Sequence, residues 1–106
     1  MAVIGNFVKN GDVFEGQVKT LEFREVVRLV PSDGSIESED APDLIAFVAD
    51  IQVGAAWRKV ARESQNTYYS VRIDDPKLTG PIDAYLYASE ADPKRHQLVW
   101  KRYIRN

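Results

Sequence analysis

The chain contains no cysteine, which excludes a disulfide, a thiolate nucleophile and any Cys-ligated metal. Its one histidine, His96, sits between Arg95 and Gln97. A zinc site needs several N or S donors, and a Ser–His–Asp arrangement needs a buried imidazole oriented by a carboxylate. His96 therefore reads as a surface residue whose cationic neighbours depress its pKa. No apolar run approaches the roughly 20 residues of a membrane-spanning helix. Residues 1–5 lack the basic and apolar regions of a secretory signal. Neither Gly-x-Gly-x-x-Gly nor Gly-x-x-x-x-Gly-Lys occurs, so no phosphate-cradling loop is present. These absences lead to the expectation of a cytoplasmic, non-enzymatic protein with no cofactor, no metal and no membrane association.

What is present is enough apolar material for a core. At 106 residues and 44% hydrophobic content, with two Trp, five Tyr and four Phe, the chain fits one compact domain over 1–106. The net charge of −2 hides a polarity. Residues 1–57 carry 4 basic and 10 acidic side chains, a balance of −6, and residues 58–106 carry 10 and 6, a balance of +4. The excess of acid disfavours indiscriminate polyanion binding. Residues 101–106 form a basic extension containing Lys101, Arg102 and Arg105.

Short runs rich in Val, Ile, Phe and Tyr recur between turn residues, the pattern of a small all-β domain. Asn10-Gly11 predicts a type I′ hairpin between residues 3–9 and 13–19. In the second of these, Phe14, Gly16 and Val18 share one face. Residues 20–30 read as a strand in preference to a helix, because Val26, Val27 and Val30 cluster and Pro31 ends the run. Residues 31–42 form an acidic loop containing Asp33, Glu37, Glu39 and Asp40, without the regular ligand spacing of an EF-hand. Residues 44–51 and 53–60 are either two strands with a tight turn near Asp50 or one bent strand with a bulge at Gly54. In 68–73, Tyr69, Val71 and Ile73 face one way while Tyr68, Ser70 and Arg72 face the other. In 82–88, Ile82, Ala84, Leu86 and Ala88 oppose Asp83, Tyr85 and Tyr87. A last strand spans 97–104. The expected fold is all-β, a small single-domain antiparallel barrel or sandwich of about seven short strands.

Two groups of residues are candidates for binding. In the first, Trp57 is accompanied by Arg58, Lys59 and Arg62, either as a stacking platform with phosphate clamps or as a core ring with solvated neighbours. The small residues Gly54-Ala55-Ala56 favour a core Trp57, with Arg58 exposed on the opposite face. In the second, Tyr68, Arg72, Tyr85 and Tyr87 make one patch if their strands are neighbours. Plain cross-strand aromatic pairing is the equal alternative. Asp74 and Asp75 point to opposite faces of a strand and precede Pro76, so a turn is expected there and not a metal or acid–base pair.

The landmarks also occur in a recognisable order. Ile4-Gly5-x-Phe7 leads into a hairpin, and Val30-Pro31 precedes the acidic loop. Ala41-Pro42-Asp43, Gly54-Ala55-Ala56-Trp57-Arg58-Lys59 and Tyr68-x-Ser70-Val71-Arg72-Ile73-Asp74-Asp75-Pro76 follow. Pro81-Ile82-x-Ala84-x-Leu86 and Leu98-Val99-Trp100 complete the series. From Ile4 to Trp100 the chain resembles the proteobacterial domain of unknown function numbered 736. It departs from that pattern in 63–67, where the usual Gly is missing, and in the basic extension past Trp100. The resemblance implies a stand-alone bacterial protein, frequently encoded on plasmids and other mobile elements, with no known catalytic residue, cofactor or substrate.

The leading expectation is a binding module for single-stranded nucleic acid that serves a mobile element. It would use Arg58, Lys59, Arg62, Tyr68, Arg72, Tyr85, Tyr87, Lys101 and Arg102. The alternative is a protein–protein adaptor or regulator, in one form a homodimer joined through edge strands.

Overall fold

The computed structural model describes residues 2–32 and 40–100. They form eight antiparallel strands: β1 Ala2–Asn10, β2 Val13–Lys19, β3 Arg24–Pro31, β4 Leu44–Val48, β5 Ile51–Val60, β6 Thr67–Ile73, β7 Ile82–Ala88 and β8 Arg95–Trp100. Each strand pairs with the next, and β8 returns to pair with β1, so the sheet closes into an up-and-down barrel. The expected β class holds, with eight strands in place of about seven. Closure leaves no unpaired strand edge among the described residues, which removes the edge-strand route to a homodimer.

Period-two alternation fills the interior. Phe14 and Val18 of β2, Val27 and Leu29 of β3, Val71 and Ile73 of β6, and Ala84 and Leu86 of β7 are all buried. An eight-stranded barrel is just wide enough for such side chains to meet at its axis. Leu44, Ala46, Ala56 and Leu98 complete the middle layers. At the lower end Phe23 is buried and Leu78, Ile82 and Trp100 pack on the core. At the upper end Tyr69 and His96 set their rings edge-on to Phe14, with centroids 5.4 and 4.8 Å away.

Two bulges change which side chains point inward. In β1 the register with β8 slips between Val3 and Gly5, so Ile4 and Phe7, three positions apart, are both buried. In β5 the register with β4 slips opposite Ala46/Phe47, so Val53 and Ala56 both point inward. An extra residue in one strand inverts the alternation beyond it. Trp57 is thereby moved to the outer wall, contrary to the core placement expected for it. The run 44–60 uses both anticipated devices, a tight turn at Ala49-Asp50 and a bulge beside Gly54.

Two local expectations change and a third holds. The first hairpin loop is Gly11-Asp12, framed by the pair Asn10↔Val13. Gly11 has φ 61° and Asp12 is not in the left-handed region, which fits a turn with glycine first and not type I′. Residues 20–23 are a turn and not strand: the Thr20 Oγ1 accepts the Phe23 amide at 2.9 Å, and the Thr20 amide donates to the Phe23 carbonyl at 2.7 Å. This local capping seats Phe23 under the barrel. Asp75 forms the expected turn, its Oδ1 accepting the Lys77 amide at 2.8 Å.

Candidate functional site

The outer wall over β6, β7, β8 and β1 carries the feature most unlike ordinary barrel surface. Alternation puts Tyr68, Ser70 and Arg72 of β6 outside, and Asp83, Tyr85 and Tyr87 of β7 outside. The β6–β7 register sets Ser70 opposite Tyr85 and Arg72 opposite Asp83. The three phenol rings meet: Tyr68–Tyr85 at 5.9 Å, Tyr68–Tyr87 at 5.5 Å and Tyr85–Tyr87 at 6.2 Å between centroids. Their patch, expected on the condition that β6 and β7 are neighbours, is formed.

The patch continues across β8 and β1. Val99 lies opposite Tyr85 and Gln97 opposite Tyr87, while Val3 and Asn6 pair with Val99 and Gln97 in turn. Val3 is 52% exposed and Tyr87 41%. Among the described residues, this centre of phenol, amide and aliphatic groups holds no charge. Charges stand around it. Lys59 lies opposite Tyr68, Arg72 Nε is 3.7 Å from Asp83 Oδ1, and Arg95 Nε is 3.6 Å from Asp92 Oδ2. An uncharged aromatic centre inside a charged rim is the anatomy of a protein interface. Burial, reinforced by the phenols of Tyr68 and Tyr85, raises the pKa of Tyr87 above its usual 10.0.

The other expected residues are dispersed. Trp57 stands half-buried on the outer wall, its Nε1 donating to the Asp40 carbonyl at 2.9 Å. It lines a shallow trough of about 540 Å³ floored by Gly54 and Ala55 and flanked by Arg72 and Asp74. Arg58 lies across from Tyr69 on the inward parity, but beyond the core, where it is exposed. Its amide donates to Asp43 Oδ2 at 2.7 Å. Arg62 follows β5 in the upper hairpin loop, where its carbonyl accepts Gln65 Nε2 at 3.1 Å. Lys101, Arg102 and residues 33–39 of the acidic loop lie outside the described residues.

His96 is a correction. It points inward at the upper end, half-buried against Phe14, with its Nδ1 buried and unbonded. Burial lowers its pKa, the nearby Lys94 backbone opposes this, and Lys9 lowers it further. At the lower end Ile4, Leu21, Leu78, Ile82 and Trp100 line an apolar groove of about 390 Å³. Its carboxylate, Glu22, is engaged by the Thr79 amide and hydroxyl at 3.3 and 3.0 Å. No cluster of three metal-binding side chains occurs among the described residues.

Sequence reasoning missed Ser70, Asp83, Gln97, Val99 and Val3 as members of the face. Alternation placed Ser70 and Asp83 on the correct side, but the adjacency of β7, β8 and β1 is set by closure. No curated protein and no solved structure matches the chain. The family model described as "Protein of unknown function (DUF736)" matches residues 3–103. The chain belongs to that family.

Proposed function

We propose that the protein is a binding module that docks a protein partner on the outer wall centred on Tyr68, Tyr85 and Tyr87. One observation carries this reading: the tyrosine cluster continues into Gln97, Val99, Asn6 and Val3 without a charge, and ion pairs flank it. Tyrosine is enriched in interface centres because its large ring loses little rotamer entropy on contact and its hydroxyl remains able to bond. Such a module would serve a mobile element, the setting implied by the family resemblance.

Single-stranded nucleic acid is the second reading, favoured by Lys59 beside Tyr68 and by the stacking capacity of the phenols. It is the weaker one. Arg72 already has a carboxylate partner, and Arg58 and Arg62 belong to the upper rim, not to the tyrosine wall.

A photoreactive benzophenone side chain at position 87, with the exposed position 26 of β3 on the opposite wall as the control, tests the choice in the native host. Protein adducts at position 87 and none at position 26 are expected. Nucleic-acid adducts at position 87, matched by salt-sensitive oligonucleotide anisotropy that Tyr68→Ala abolishes, would transfer the face to the second reading.

A further inference from the structure

We propose that the occupant of the tyrosine wall is a second copy of this chain, joined about a two-fold axis lying along the β6–β7 seam. The inference rests on the protein-docking reading above and names its partner.

Two copies that face one another across an axis parallel to the strands, between β6 and β7, place each β6 residue over the β7 residue it is paired with in its own chain. Three cross-strand pairs then become three contacts between subunits, each made twice. Arg72 and Asp83, 3.7 Å apart within one chain, give a cation facing the partner's Asp83 and a carboxylate facing the partner's Arg72. Ser70 and Tyr85 are cross-strand partners, so the smallest side chain of the wall becomes a recess for the largest of the opposing wall. The half-buried phenol of Tyr68 meets the partner's Tyr87, which is 41% exposed. Plus opposes minus, small opposes large and aromatic opposes aromatic. All three follow from a single choice of axis.

The same axis lays Val99 and Gln97 of β8 against the β5 flank, over Trp57 and Lys59 of the partner. Uncharged groups thus cover the centre, and the single cations remain at the margin, where water screens them. Both walls are convex, so contact is confined to the seam and its flanks. The interface is therefore at the small end of specific interfaces, and association in the micromolar range is expected. Because the barrel leaves no free edge, copies meet wall to wall and not strand to strand.

Sedimentation velocity over a concentration series reads the proposal. Wild type should shift from the 12.0 kDa species to twice that mass as concentration rises. Arg72→Asp gives a chain with two negative residues at the pair, and Asp83→Arg gives one with two positive residues. Each alone should remain monomeric while keeping the wild-type circular dichroism and a similar Tm. Mixed in equal amounts they should form a mixed dimer, because attraction is then available only between chains. Restoration by mixing separates a bond across the interface from the bond within a chain. Ser70→Tyr, which fills the recess, should also remain monomeric.

Wild type monomeric at every concentration would overturn self-association. Protein adducts at position 87 to a different chain would in that case leave the docking reading standing. A dimer that survives Arg72→Asp, Asp83→Arg and Ser70→Tyr would overturn this interface.

Discussion

Gly54 lies so close beneath the Arg72 carbonyl that a Cβ built on it would overlap the oxygen and come 3.0 Å from the Ile73 Cα. Both neighbours are backbone, so neither can swing aside. Gly54→Ala should therefore cost about 2–3 kcal/mol by forcing β5 from β6, which lowers Tm by roughly 10–20 °C. Gly80→Ala is the control, since a Cβ there meets nothing within 4 Å. Thermal melts of the two variants should differ sharply.

Ala49 has φ 53° in the two-residue turn between β4 and β5. An L-residue in the left-handed region carries a strain of about 1–2 kcal/mol. Glycine relieves it but loses more chain entropy on folding, about 0.5–1 kcal/mol. Ala49→Gly should raise stability by up to about 1 kcal/mol, measured as an increase in the urea midpoint at unchanged slope.

His96 gives the barrel a pH dependence of definite sign. Its folded pKa lies below the ordinary 6.5 because the ring is buried beside Phe14 and near Lys9. Between the folded value and 6.5 the unfolded chain binds the extra proton, so stability is full above 6.5 and declines as pH falls through that window. His96→Gln should flatten the wild-type Tm difference between about pH 7 and pH 5. An unchanged slope would exclude His96 as its source.

Tyr87 acts at the other end of the scale. Its raised pKa comes first from burial and then from Tyr68 and Tyr85. Ultraviolet titration should show a phenol ionising above 10.0, and Tyr87→Phe should remove that late step. The unfolded chain loses this proton first, so the contribution to stability declines as pH rises above 10.0.

Much of the wall was legible because period two is a local property. Tyr68 with Arg72, and Tyr85 with Tyr87, were assigned to shared faces from alternation alone, and the buried Phe14, Val18, Val71, Ile73, Ala84 and Leu86 all lie on faces that alternation grouped, although Ala88 at the end of the β7 face is exposed. Trp57 was not legible. A bulge beside Gly54 inverts its side, and the glycine that marks the bulge does not reveal which residue is the extra one. His96 escaped for another reason: its flanking charges suggested surface, whereas the inward parity of Leu98 in β8 fixes its direction. Pairing of β1 with β8 joins segments about ninety positions apart. It depends on strand tilt and stagger summed around the whole ring, and no local pattern records that sum. The members of the wall contributed by β8 and β1 were hidden with it.

Ala2 is paired with Trp100 in the β1–β8 seam, so the first and last strands are as intimate as any two consecutive ones. A short peptide across that junction, with the chain cut instead in the hairpin at Gly11, would give a circularly permuted molecule with every rung of its ladder kept. The origin of the polypeptide is then a convention that the barrel does not need, and a fused cargo could enter at any of several rim loops.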